Sequence, residues 1–477
     1  MNLKKDTYGF LIVFSFSIVI YGFYIFSSTL NIDGEFVDNF YQTIALGRWF
    51  HAILRKYILP EPFMVILTPL IAVFILTLSS VIICRVFGLK GKDKYIASAL
   101  FISFPQFSYQ LEFLNQADTF AIAILTCSLS VYFIIYRGWC AFRISCLLLV
   151  SAIGIYQTAI SYFWVICFGY IYIKFCFDDK KIGSLKIVSK VFSSTLISVF
   201  LYAVSSLWFK NYYKINSGNY VNNYIYVGGG ADYLLSVLKG WFEFILGVKY
   251  TGEIGYSIIF IGMLSLIVKK GLKNKYKIIV GGMVIASIPA FLMLISGGGV
   301  PARVFVGSSA ALFVIFIVLS SIYTGTLFKV IICGIVILNS VFVNYLFFKD
   351  YSVRKKDLKD AYLWMHYMSE HHMTCGVDSV IYIHGASHRN NLLGVKADTF
   401  GHSFFSWDNG NYLRVVAFLR YYNLCHAKAA DEKEVKMVMP YIKGMPDWPQ
   451  NGSINKFGNV IVIKLSDTKG WLPFNVE

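Results

Sequence analysis

Residues Phe63 to Cys84 read FMVILTPLIAVFILTLSSVIIC, an apolar run without a charged side chain. A helix needs about 20 such residues to cross the ~30 Å hydrocarbon core of a bilayer, and a buried helix of a soluble domain seldom reaches that length. Leu327 to Phe348 is a second run of the same texture, with Lys329 near one end, where its stem can carry the charge to the surface. The whole chain matches these runs: 57% of its residues are hydrophobic, 18% aromatic and 14% charged, against roughly 25% charged in soluble domains. The sequence predicts a polytopic α-helical membrane protein.

Working outward, spans are expected near Tyr8 to Ser28, Phe63 to Cys84, Tyr95 to Phe107, Thr119 to Tyr136, Ile144 to Tyr156 and Tyr162 to Phe177. Further spans follow near Val191 to Phe209, Gly255 to Val268, Ile278 to Ser296, Val304 to Tyr323 and Leu327 to Phe348, which makes about eleven transmembrane helices. The stretch from Ile144 to Phe177 is too long for one ordinary span and is divided at Gln157. The first segment exceeds the 7 to 15 apolar residues of a signal-peptide core and lacks a small-residue cleavage site, so it is read as a retained span.

Short cytoplasmic loops carry the excess of Lys and Arg. Lys4 and Lys5, Arg85 to Lys94, Arg137 and Arg143, Lys180 to Lys190, and Lys269 to Lys277 fall in alternate loops, which are therefore placed inside. The loops Asp33 to Pro62, Ser108 to Asp118, Gln157 to Ser161, Lys210 to Ile254 and Gly297 to Arg303 are then outside, and an odd number of spans puts the tail there too. The formal charge of +17 reflects this asymmetry and contact with anionic lipid, not nucleic-acid binding. Residues 1–348 are read as a transmembrane domain and residues 349–477 as an extracytoplasmic one.

That tail changes texture. A helical pattern runs through Leu358, Tyr362, Met365 and Met368, and β-rich runs occur at Val380 to Ile383 and Val460 to Leu465, which predicts a small α/β domain. Seven of the eight histidines lie in it, but His366, His371, His372, His384 and His388 match no zinc-ligand spacing, so no metal is expected. Of nine cysteines only Cys375 and Cys425 fall in the tail, where an oxidising compartment would let them pair.

The spans hold almost no ionisable residue, which argues against an ion-coupled carrier with its midplane charges. Gly228-Gly229-Gly230 and Gly297-Gly298-Gly299 are bare glycine triplets, not a nucleotide fingerprint. An outward-facing enzyme would need an activated substrate delivered by lipid. Sugar transfer from a lipid phosphate to a hydroxyl requires a general base and cations for the departing phosphate. Asp33, Glu35 and Asp38 offer the first; Arg48, Arg55, Lys56 and Arg303 offer the second. A wet loop of this length also collects charges for solvation alone. Tyr220, Tyr224 and Tyr226 could stack on sugar or belong to the interfacial aromatic belt.

A first span, an outer loop with Asp33-x-Glu35 and then Gly47-Arg48-Trp49 before the second span form a recognisable order. With the Tyr156-Gln157 turn, the Arg303 loop, the chain length and the outward C-terminal domain, it resembles the phage-type serotype-converting O-antigen glucosyltransferases, the Gtr type II family. The resemblance implies a GT-C-like fold, a first-loop carboxylate at the active site and a polyprenyl-phosphate sugar donor. It implies inverting, metal-independent transfer of glucose, without cofactor, to a hydroxyl of lipid-linked O-antigen at the periplasmic face of a bacterial inner membrane. Where the family commonly has adjacent carboxylates this chain has Asp33-Gly34-Glu35, so either Asp33 or Glu35 is the base, with Asp38 nearby. Arg48, Trp49, Tyr156, Gln157 and Arg303 are then the expected phosphate- and sugar-binding residues. The competing expectation is a flippase or exporter of lipid-linked oligosaccharide, which needs cations and aromatics but no base.

Overall fold

The computed structural model describes residues 3–27, 29–36, 39–59, 64–137, 139–177, 182–216, 230–245, 254–269, 274–297, 300–387, 398–468 and 470–473. The chain divides into two compact units: Met1–Ser28 with Asp38–Tyr345, and Thr29–Val37 with Leu346–Glu477.

The first unit is helical. Among the described residues, six helices are long and apolar enough to cross a membrane: Leu67–Val86, Ala117–Tyr136, Ala159–Phe177, Leu185–Tyr212, Lys275–Ser296 and Thr326–Glu370, the last running on into the second unit. Tyr8–Ile20, Ala141–Ile155 and Ser308–Ile322 are shorter apolar helices. Such segments fold as helices because lipid offers their backbone no hydrogen-bond partner, so each N–H and C=O must be satisfied within the segment. Lipid also gives no hydrophobic reward for helix association, so small polar side chains join the helices instead. Thr77 donates to Ser17 at 2.8 Å, and the hydroxyls of Ser130 and Ser145 meet at 2.8 Å.

The apolar stretch from Ile144 breaks at Tyr156 and Gln157, between the helices Trp139–Ile155 and Ala159–Phe177. The expected span ending at Phe107 stops earlier. Pro105 disfavours helix at the residue before it, so the helix Gly91–Ser103 ends at an extended Phe104 and a short 3-10 turn, Pro105–Phe107, follows. The next residues, read from sequence as an outer loop, are packed inside the unit: Ser108, Gln110, Glu112 and Asp118 are all buried. The helix Trp49–Tyr57 is joined to the start of Ala117–Tyr136 by Arg55, which forms a buried ion pair with Asp118 and donates to the Asn115 carbonyl at 2.7 Å.

The second unit is built on a four-stranded sheet of order β2-β1-β4-β3, with β1 Val380–His384, β2 Lys428–Ala429, β3 Ile454–Phe457 and β4 Val460–Lys464. β1 runs parallel to β2 and β4, whereas β3 and β4 form a hairpin turned by Gly458 at φ 62°. β1 and β4 are buried throughout, as expected of parallel strands covered on both faces. The helices Tyr412–Tyr421 and Glu432–Ile442 and the end of Thr326–Glu370 contribute to the core, where Trp364 stacks on Phe405 at 4.5 Å. A capping box of Asp431 and Glu434 starts Glu432–Ile442. Cys375 and Cys425 are joined in a disulfide. Leu30 and Ile32, from the loop after the first apolar segment, lie in this same core, 3% and 1% exposed. That burial makes the acidic loop part of the second unit.

Candidate active site

The carboxylates of the first loop are held by one arginine. Gly34 N–H closes a turn on the Asn31 carbonyl at 2.9 Å, and Asp33 inside it takes φ 72°, a left-handed conformation that Asp tolerates better than most residues. The turn aims Asp33 and Glu35 at Arg414. Nη2 of Arg414 lies 2.8 Å from Asp33, Nη1 donates to Glu35 Oε1, and Nε donates to Asp408 at 3.0 Å. The guanidinium also sits 5.6 Å from the centroid of the Phe36 ring.

Arg414 owes its place to a local signal. Asn411 caps the helix Tyr412–Tyr421 by accepting from Leu413 N–H at 3.1 Å, so Arg414 stands in the first turn. Asp408, Asn409 and Gly410 before it all have positive φ, which curls the chain so that Asp408 reaches back to Arg414.

The two carboxylates differ. The Asp33 side chain is about half exposed, at 49%, whereas that of Glu35 is fully enclosed. Burial pushes the Glu35 carboxyl up to about 7, and its ion pair with Arg414 offsets only part of that cost. Burial works against the Arg414 charge as well, but three carboxylates outweigh it and its pKa is raised. The rise at Glu35 is therefore a burial effect that the shared guanidinium only moderates, whereas the rise at Arg414 comes from its carboxylate partners.

The arginines form a separate set in the first unit. Arg48 Nη1 donates to Gln116 at 3.0 Å, and its guanidinium lies 4.9 Å from the centroid of the Tyr156 ring. The Tyr156 hydroxyl donates to the Arg303 carbonyl at 3.4 Å, and the Arg303 guanidinium lies over Phe113 at 5.2 Å. Tyr156 thus touches the Arg48 side chain through its ring and the Arg303 backbone through its hydroxyl. Gln157 holds the corner before Arg48: its amide donates to the Leu46 carbonyl at 2.7 Å and to Tyr202 at 3.1 Å. Gly47 at that corner has φ 77°, and a Cβ there would stand 2.6 Å from the Tyr202 hydroxyl, so glycine is required. Trp49 stacks on Phe209 at 5.1 Å and packs on Gly154. Arg48 Nε and Trp49 Nε1 are buried donors with no hydrogen-bond partner among the described residues. Such donors are costly unless something accepts from them, and a phosphate oxygen would.

Other expected cations are placed elsewhere. Arg55 is corrected from phosphate ligand to structural tie, because Asp118 and backbone carbonyls occupy its buried guanidinium. Lys56 lies over the Phe40 ring at 4.6 Å. Asp38 and the tyrosines Tyr220, Tyr224 and Tyr226 lie outside the described residues. Sequence reasoning missed Arg414, Asp408 and Gln116. The signal that could have placed Arg414 is Asn411, a helix-capping residue type three positions before it.

A family model described as Glucosyl transferase GtrII matches residues 22–324, a stretch that contains Asp33, Glu35, Arg48, Tyr156 and Arg303 and ends before the sheet of the second unit. No curated protein and no solved structure matches the chain. The match spans well over half of the 477 residues, and the chain belongs to the Glucosyl transferase GtrII family.

Proposed function

We propose that this protein transfers glucose from a polyprenyl-phosphate donor to a hydroxyl of O-antigen, at the periplasmic face of a bacterial inner membrane. Family membership supports glucosyl transfer. The observation that carries the finer reading is that the first-loop carboxylates and the arginine segments are each held in place: Asp33 and Glu35 converge on Arg414, and Tyr156 links the Arg48 side chain to the Arg303 backbone.

In this reading the acceptor oxygen attacks the anomeric carbon from the face opposite the phosphate. Its proton passes to Asp33 or Glu35 as the carbon–oxygen bond to phosphate breaks, and the bonding pair leaves with the polyprenyl phosphate. The product phosphate gains a negative charge, and Arg48 and Arg303 are the groups to meet it. Preorganised donors aimed at developing charge are typically worth about 10²- to 10³-fold in rate. One inversion follows from one displacement, and neither metal nor cofactor is required.

Placement outside the cytoplasm is supported by the Lys and Arg asymmetry of the loops and by the Cys375–Cys425 disulfide, a bond that persists in oxidising compartments. A reporter active only outside the cytoplasm should work when fused at Asn39 or after Lys349 and fail after Lys92; activity after Lys92 would reverse the orientation. The chemistry is tested by O-antigen composition in cells with and without the protein. New glucose branches support transfer, whereas unchanged composition with altered export would identify a flippase.

A further inference from the structure

Arg414 lies 379 positions from Glu35, beyond the stretch that the family model covers, yet its three guanidinium nitrogens all engage carboxylates. Among the described residues, the charged groups on this cluster include Asp33 and Glu35 from the first loop, Asp408 from the turn Trp407–Asn409, and Arg414 itself, in the first turn of Tyr412–Tyr421. Two of these carboxylates, Asp33 and Asp408, sit on left-handed backbone, at φ 72° and 48°. Left-handed backbone at non-glycine residues is costly and persists where surrounding structure over-determines it, commonly at functional sites.

We propose that Arg414 is the positioning residue for the transfer base, and that the base is Asp33, with Glu35 as the buried partner that fixes the guanidinium. The inference rests on the glucosyl-transfer reading above. A carboxylate that must take a proton from an acceptor hydroxyl has to be reachable: the Asp33 side chain is 49% exposed and that of Glu35 is wholly enclosed. A lone arginine would hold Asp33 in place but weaken it as a base, since a cation favours the ionised form. Glu35 and Asp408 share that cation, so Asp33 gains orientation without facing an uncompensated positive charge. Glu35 Oε2 is buried and has no hydrogen-bond partner among the described residues, so Glu35 is poorly satisfied where it stands. That cost suits a group retained for its effect on its neighbours. The helix N-terminus beneath Arg414 favours the same negative charges.

The experiment is transfer from polyprenyl-phosphate glucose by full-length Arg414→Gln and Arg414→Lys, measured per folded protein across pH. A misplaced base lowers kcat and leaves donor KM near wild type, because donor phosphate is held by other arginines. Arg414→Gln should lose about 10²-fold or more in kcat, within the range a positioned base supplies. Arg414→Lys keeps the charge without the fork and should lose about tenfold with an altered pH profile. In an Asp33→Asn background Arg414→Lys should cost nothing more, since the base it positions is gone. Wild-type kcat and pH profile in folded Arg414→Lys would overturn the proposal, as would a loss confined to folded yield or to donor KM. Should Arg414→Gln fail to fold, the Arg414→Lys pair of measurements decides. If wild-type protein transfers no glucose at all, the functional reading has failed; if it does and Arg414→Lys is silent, only this inference has.

Discussion

Arg414 and Arg48 are both partly buried arginines, and their surroundings are opposite. Three carboxylates surround Arg414, so its charge is more than neutralised. Arg48 has neutral partners, Gln116 and the Tyr156 ring, and among the described residues no carboxylate pairs with it. A guanidinium enclosed by carboxylates is a scaffold, whereas one held by an amide and a ring is fixed in place with its charge intact. The second arrangement is what an anionic substrate needs. Arg55 and Arg354 follow the first pattern, paired with Asp118 and with Asp350 and Asp357.

The comparison breaks most visibly at the carboxylates. Asp33→Asn keeps shape and removes the proposed proton acceptor, so turnover should fall by about 10²- to 10⁴-fold while folding survives. Next is Arg55→Ala, which leaves Asp118 buried without its partner. Loss of one member of such a pair typically costs about 3 to 5 kcal/mol, so folded yield should drop while transfer per folded molecule holds. A large fall in specific activity with normal yield would return Arg55 to the phosphate set.

Arg48→Lys and Arg303→Lys probe the other side. Each keeps charge and loses the planar fork, so activity should fall by about 10-fold, and the alanine variants should lose most of it. Equal activity of lysine and arginine at both positions, with alanine lowering only protein level, would make them membrane anchors. The smallest effect concerns pH. Glu35 holds its proton up to about 7 in the folded protein against an ordinary 4.5, so the folded state binds more protons between these values. Its contribution is complete below pH 4.5 and is lost as pH rises through about 7, a slope worth no more than about 3 kcal/mol. Thermal melting of Glu35→Gln should show that slope flattened; an unchanged slope would place the titration elsewhere.

Much of the fold was legible because its signals are local. The apolar run expected from Phe63 to Cys84 overlaps the helix Leu67–Val86, since lipid leaves the backbone no alternative, and Val380 and Val460 open strands where β-branched residues cluster. The break at Gln157 followed from length alone. What the sequence concealed are long-range pairings. Nothing near Glu35 points to Arg414, nothing near Arg55 points to Asp118, and nothing near Leu30 and Ile32 shows that they enter a core otherwise made of residues from Ala361 onward. The helices Trp49–Tyr57 and Ala231–Ile245 lay hidden inside segments read only as loops. Arg48, Tyr156 and Arg303 were found as separate short motifs, and their linkage through Tyr156 is a property of the fold.

The most direct test places purified protein in lipid vesicles with labelled polyprenyl-phosphate glucose and lipid-linked O-antigen, in the presence of a chelator. The account predicts that label moves to the acceptor with wild-type protein and that Asp33→Asn combined with Glu35→Gln, folded and inserted normally, transfers about 10²-fold less or worse. Undiminished transfer by that double variant would contradict it.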